Sequence, residues 1–216
     1  MRPNLTVAHT NHDSSSSDHS SPLKVDLFAT AELPSQYGQF KIVAFKNNRD
    51  NKDHVAIVHG ELAGAEEVLT RIHSECLTGD VFGSLKCDCG PQLDRALQQI
   101  AAEEAGLILY MRQEGRGIGL ANKVKAYSLQ DAGFDTVEAN LHLGFDDDLR
   151  DYEISAEMIK LLGVQSIVLM TNNPKKVQGL TKAGVEISGR KAIKTTPNPH
   201  NFNYLETKRI KSGHLL

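Results

Sequence analysis

The three cysteines of this 216-residue chain all fall between positions 76 and 89, in HSECLTGDVFGSLKCDCG, and no other feature constrains the molecule as much. An odd number of cysteines cannot close a disulfide framework and suits a reducing compartment, where thiols serve as ligands. Three thiolates, from Cys76, Cys87 and Cys89, supply three corners of a tetrahedral zinc site and leave the fourth open to water, the arrangement of a catalytic centre. Water on such an ion ionises near neutral pH, with a pKa of about 7. Two other readings stay open on the residues alone: a structural zinc closed by an imidazole such as His73, and three unliganded buried thiols. Cys89 directly precedes a helix start at Gly90-Pro91, where the helix dipole favours a thiolate. The H-x-E of His73-Ser74-Glu75 matches part of the zinc nucleobase deaminase signature, but that signature continues as P-C-x-x-C and this chain has K-C-D-C.

With 40% hydrophobic residues the chain can bury one sizeable core. Its formal charge of -3 provides no global basic field, so an anionic ligand must be gripped by locally placed Lys and Arg, and extended duplex DNA is not an expected partner. The chain has neither a long apolar run nor a basic start followed by an apolar stretch, so the expectation is a cytoplasmic protein without a membrane partner. Residues 1–22 are polar and Ser-rich and read as a disordered tail containing His9, His12 and His19; residues 23–216 read as one catalytic domain.

The expected fold class is α/β (α+β): a small antiparallel N-terminal β region followed by helix-strand alternation with a mixed sheet. LKVDLFATAEL, FKIVAF, HVAIVHG and VLTRIHSE, between residues 23 and 75, are the strands of the mostly antiparallel region. After Cys89, Leu93, Ala96, Leu97, Ile100 and Ala101 recur with helical period on one apolar face. There follow a strand at 107–111, a helix at 120–132, a helix near 152–162, a strand at 166–170, a helix opening at Asn173-Pro174, and a last strand near 185–187.

Three further motifs carry chemistry. In RQEGRGIGLANK, Gly115, Gly117 and Gly119 let the backbone approach a ligand, and the spacing is not the G-x-G-x-x-G of a dinucleotide fold. Glu114 there can accept from both the N1-H and the exocyclic amine of a guanine, and Arg116 can hold phosphate or ribose; a plain tight turn is the alternative. In TNNPKKVQGL, Asn173 caps a helix, and Lys175 and Lys176 stand beside its free N-H groups as a phosphate seat, or as a solvated lysine pair. GFDDDLRDY reads as a solvated acidic loop, with Asp148 and Arg150 spaced so that one can handle a proton and the other face phosphate.

HSECLTGDVFGSLKCDCG, MRQEGRGIGLANKVKAYSLQD, DTVEANLHLGF and TNNPKKV, in this order, resemble GTP cyclohydrolase II of riboflavin biosynthesis, from about residue 25 to the end. The resemblance implies one Zn2+ on Cys76, Cys87 and Cys89, and GTP contacts from Arg71, Ile72, His73, Ser74, Glu75, Gln92, Glu114, Gly115, Arg116, Thr136, Thr171 and Lys176. It makes Asp148 a proton acceptor, Arg150 the residue acting at the α-phosphorus and Tyr127 an active-site tyrosine. Arginine stays protonated, so charge stabilisation by Arg150 is physically easier than covalent attack. The implied reaction opens the imidazole ring of GTP at C8 and releases formate and diphosphate, with Mg2+ on the triphosphate. A homodimer, a single activity without a fused synthase domain, and no nucleic-acid partner complete the expectation. A deaminase would release ammonia instead. A noncatalytic nucleotide or nucleic-acid binding module would close the fourth metal position, and 6% aromatic residues with no Trp offer it few stacking platforms.

Overall fold

The computed structural model describes residues 21–50, 52–145, 150 and 152–215. The tail, apart from its last two residues, and Asp148 lie outside them. Among the described residues seven strands form one mixed sheet in the order β1-β2-β3-β5-β4-β6-β7. β1 (Val25–Ser35), β2 (Gly38–Asn47) and β3 (His54–His59) form an antiparallel meander, and β3 pairs antiparallel with β5 (Gly106–Met111). From β5 outward the pairing turns parallel, through β4 (Val68–Ser74), β6 (Ile167–Met170) and β7 (Ile187–Lys191).

The antiparallel start and the later alternation match the sequence expectation, with one correction. VLTRIHSE is not a fourth antiparallel strand: β4 inserts between β5 and β6, parallel to both. Its burial explains why, since six of its seven residues are buried, as a strand covered on both faces requires. On one face Ile72, Leu107, Leu109, Ile167 and Leu169 pack against Ile154, Met158 and Ile159 of α5 (Glu153–Leu161) and Leu180 of α6 (Pro174–Lys182). On the other, Leu69, Ile108 and Met170 meet Ala96 and Ile100 of α2 (Cys89–Ile100), with Leu93, Leu97 and Ala101 alongside, which is the apolar face read from the sequence. Each fully buried Leu or Ile in these layers contributes about 1.5–3 kcal/mol.

A single helical turn, α1 (Leu77–Asp80), follows β4, and α3 (Leu120–Asp131) follows a 3-10 turn at Glu114–Gly117. Further elements depart from the sequence reading, α1 among them. α4 (Thr136–His142) was not expected, although Asp135 and Glu138 form a reciprocal capping box at its start. α7 (Phe202–Ile210) was not expected either. The last strand lies a few residues later than expected, because Val185 is buried in the turn after α6 and pairing begins only at Ile187. Among the described residues no helix is long and apolar enough to cross a membrane.

Candidate metal centre and substrate cleft

The carboxyl ends of β4, β5 and β6 open side by side into one cleft, where open parallel sheets bind ligands. The chain leaving β4 carries Glu75 and Cys76, that leaving β5 carries Gln113 and Glu114, and that leaving β6 carries Thr171 to Asn173. Arg71, His73, Ser74, Glu75, Cys76, Cys87, Cys89, Gln92, Glu114, Gly115, Arg116, Tyr127, Thr136, Arg150, Thr171 and Lys176 all line this cleft. Ile72 does not. Strand alternation turns its side chain into the core on the opposite face, and what it gives the site is a carbonyl that accepts from Lys176 Nζ at 2.7 Å. Lys175 is exposed and does not line the cleft, so the phosphate-seat reading narrows to Lys176.

The three sulfurs lie within 4.8 Å of one another, and Cys76 Sγ and Cys87 Sγ are 3.7 Å apart. Tetrahedral zinc with bonds of about 2.3 Å separates its sulfurs by about 3.8 Å. Backbone geometry makes the convergence possible. A Cβ at Gly79 would come within 2.9 Å of Cys87 Sγ and 3.1 Å of Cys76 Sγ, and one at Gly90 would stand 2.3 Å from the Gly79 carbonyl oxygen. Only with glycine at both positions can α1 lie against the start of α2 with the thiols between them.

The charges match a cation. The Cys76 thiol is held far below its ordinary range by hydrogen bonds from Cys87 and Cys89 and by the Lys123 ammonium. In turn the Cys76 sulfur pushes Cys87 up to about 11 and Cys89 well above its usual value. A divalent ion relieves this conflict and lets all three ionise, so the donor set fits zinc. No histidine nitrogen joins the trio among the described residues. His73 Nε2 instead lies 3.0 Å from Asp80 Oδ1, and the Asp80 carboxylate also accepts from Tyr110 Oη at 2.8 Å and from the Cys76 N-H at 3.0 Å. Burial lowers the His73 pKa, which leaves the ring neutral. The His73-closed structural site therefore has no support in the geometry.

Glu114 is a buried hub. Its Oε2 accepts from the Leu77 N-H at 2.7 Å; its Oε1 accepts from the Gly115 N-H at 2.8 Å and from Lys123 Nζ at 2.7 Å. Lys123 Nζ also donates to Cys76 Sγ at 3.0 Å. A carboxylate offers about four acceptor positions, so one remains for a ligand. Gly115 (φ 63) and Arg116 (φ 62) are both left-handed, which folds the loop back sharply and puts Arg116 at the cleft. A Cβ at Gly115 would meet Ile118 Cγ1 at 2.9 Å.

The cleft walls are cationic and partly buried. Arg71 donates to the Met170 carbonyl at 3.0 Å and to Gln92 Oε1 at 2.5 Å; burial lowers its pKa only to about 10, so it stays charged. Arg150 Nη1 lies 3.4 Å from Ser74 Oγ. Tyr127 Oη lies 3.3 Å from Thr78 Oγ1, and burial raises the phenol pKa, which keeps it protonated.

The GTP cyclohydrolase II family model matches residues 27–192. The chain belongs to that family. It is 55% identical over 188 residues to GTP cyclohydrolase-2 of Escherichia coli (strain K12 / DH10B), covering 87% of this chain and 96% of that protein. It is 57% identical over 185 residues to the riboflavin biosynthesis protein RibBA of Bacillus subtilis (strain 168), covering 85% of this chain and 46% of that protein. The chain thus spans about half the length of the RibBA relatives it matches. The solved structure of RibBX, a two-domain 3,4-dihydroxy-2-butanone 4-phosphate synthase from A. baumannii, covers 80% of this chain with 40% of its own at 16% identity, with a TM-score of 0.43.

For a member of this family the sequence reading overlooked Lys123, the packing roles of Gly79 and Gly90, and on α7 Tyr204 and Lys208. Lys123 was visible in LANKVKAY as the lysine nine residues after Glu114, but its salt bridge depends on the left-handed turn between them. Gly79 and Gly90 stood inside the quoted cysteine motif.

Proposed function

We propose that this chain hydrolyses GTP with zinc, opens the imidazole ring at C8, and releases formate and diphosphate to give 2,5-diamino-6-(5-phosphoribosylamino)pyrimidin-4-one for riboflavin biosynthesis. The observation that carries this reading is the placement of three converging sulfurs in the lining of a cleft that also presents Arg71, Arg116, Arg150 and Lys176. Cys76, Cys87 and Cys89 would hold the ion. When bound, zinc supplies the Lewis acidity that activates water at neutral pH.

The protein's own groups do the rest. The four cations bind the triphosphate together with Mg2+, and being part-buried they hold its charge more firmly than solvated side chains do. Glu114 keeps one acceptor position for a guanine N-H, a narrower role than the two-donor grip expected from sequence. Lys123 stabilises the Cys76 thiolate, and Asp80 fixes the Cys76 backbone through its N-H. Tyr127, protonated and beside Thr78 near Cys76, is placed to donate a hydrogen bond from Oη. Arg150 acts by charge at the phosphate, and Asp148 is proposed as the proton acceptor on the strength of the family resemblance.

The test is to incubate zinc-loaded protein with GTP and Mg2+ and to quantify formate, diphosphate and the pyrimidine together. Equal amounts of all three support the reading. Diphosphate without formate, or ammonia in place of formate, overturns it.

A further inference from the structure

The family match ends at residue 192, yet the chain beyond it returns to the cleft. Tyr204 and Lys208 of α7, and His214 just after it, line the same cavity as the cysteines. The Lys208 ammonium sits 2.9 Å from Asp88 Oδ1, and Asp88 lies between two of the sulfur ligands and is 1% exposed. Asp88 Oδ2 accepts from Gln92 Nε2 at 2.5 Å, and Gln92 Oε1 accepts from Arg71 Nη2 at 2.5 Å. Two backbone contacts flank this relay: Asn201 Nδ2 donates to the Cys87 carbonyl at 3.4 Å and the Leu215 N-H to the Asn172 carbonyl at 2.8 Å.

The helix does not dock through a broad apolar face. Leu205 is its one buried apolar side chain, while Phe202 and Ile210 are exposed. A buried Lys-Asp pair is a weak source of stability, because desolvation offsets most of the attraction. Asp88, moreover, stands at the N-cap of α2 without capping it and gives its oxygens to Lys208 and Gln92. Such an arrangement orients groups more than it stabilises the fold.

We propose that α7 is part of the active centre and that Lys208 is a positioning residue, which through Asp88 sets the Cys87-Asp88-Cys89 turn for metal and through Gln92 and Arg71 sets the phosphate side of the cleft. This rests on the zinc-hydrolase reading above. It assigns a role to a segment outside the family match, and it joins the two ends of the substrate site through one lysine.

The test compares full-length wild type, Lys208→Met, Lys208→Arg, Asp88→Asn and the Asp88→Asn/Lys208→Met double variant. Zinc affinity is read by competition with a chromophoric chelator, kcat and KM by formate release, and folding by thermal melting. Lys208→Met is expected to weaken zinc binding and lower kcat/KM by about 10- to 100-fold, the usual cost of losing a residue that orients a metal ligand. Lys208→Arg should recover most of both. The double variant should lose little more than the worse single variant, since both changes break one interaction. Wild-type zinc affinity in Lys208→Met, or fully additive losses in the double variant, would overturn the proposal. If Lys208→Met melts too early to assay, Asp88→Asn and Lys208→Arg carry the zinc comparison. Failure of wild type itself to release formate would count against the zinc-hydrolase reading, whereas the zinc-affinity coupling is measured without substrate.

Discussion

The two halves of the sheet divide the work. In the antiparallel half, β1 is an edge strand exposed along most of its length, and the ion pairs Lys24–Asp26 and Lys46–Asp53 lie in solvent, where such pairs contribute little. In the parallel half, β4, β5 and β6 are buried almost throughout, and their carboxyl ends carry ionisable groups that are also buried: Arg71, His73, Glu114 and Lys176. Burying so many charges is costly unless each is paired, and the pairings found here lead to the sulfur trio and the cleft. Substitutions in one half should therefore read out as stability, and in the other as metal binding and turnover.

The largest effect expected is from Cys87→Ser. It should remove zinc and lower kcat by at least about 10^3-fold, since Lewis-acid assistance is worth several kcal/mol, while GTP binding measured by equilibrium dialysis largely survives. Normal turnover in this variant would end the metal assignment. Next comes Phe45→Ala in β2. Phe45 is 1% exposed and does not line the cleft, so the variant should lose about 3–5 kcal/mol in urea unfolding and keep the KM for GTP. A several-fold change in KM in the folded variant would break the division between halves. Gly79→Ala should cost about 10- to 100-fold in zinc affinity with a small change in melting temperature, because its new methyl meets sulfur rather than the core; an early melt with intact zinc binding would place Gly79 with the structural positions.

The smallest effect expected lies at the β2–β3 turn. His54 Nε2 stands 3.2 Å from Asp50, and although burial opposes it, the interaction with His54 and the Asn47 amide lowers the Asp50 carboxyl from 3.8 to about 2. A depressed folded-state pKa adds stability that is present above the unfolded value and is lost as pH falls through the folded one. Asp50→Asn should therefore narrow the difference in melting temperature between pH 5 and pH 2 without altering activity at neutral pH. An unchanged acid limb would show that this turn does not contribute.

Much of this division was legible in the sequence, though unevenly. The cysteine cluster, the glycine loop and the capped helix at Asn173 were readable because each is local: spacing and residue type state the chemistry within a dozen positions. The insertion of β4 between β5 and β6 was not, since strand order is decided by which faces can be covered and not by any feature of VLTRIHSE itself. α4 carried a readable capping box that was overlooked, whereas α7 offered no apolar stripe to find. The Lys123–Cys76 and Lys208–Asp88 contacts join residues 47 and 120 positions apart, and no local pattern encodes them.

β5 is the seam. It pairs antiparallel with β3 on one side and parallel with β4 on the other, so that Tyr110 faces both Val55 and His73, and its amides lie inside the sheet with a strand on either side. Both β4 and β5 lead straight into the site. Hydrogen exchange at Ile108 and Leu109 should consequently proceed only through global opening, and an ion held at the end of these strands sits on the last part of the protein to come apart. Metal loss by way of unfolding would then be slowed by strand order, which leaves ligand exchange at the sulfurs as the route that their own bonds control.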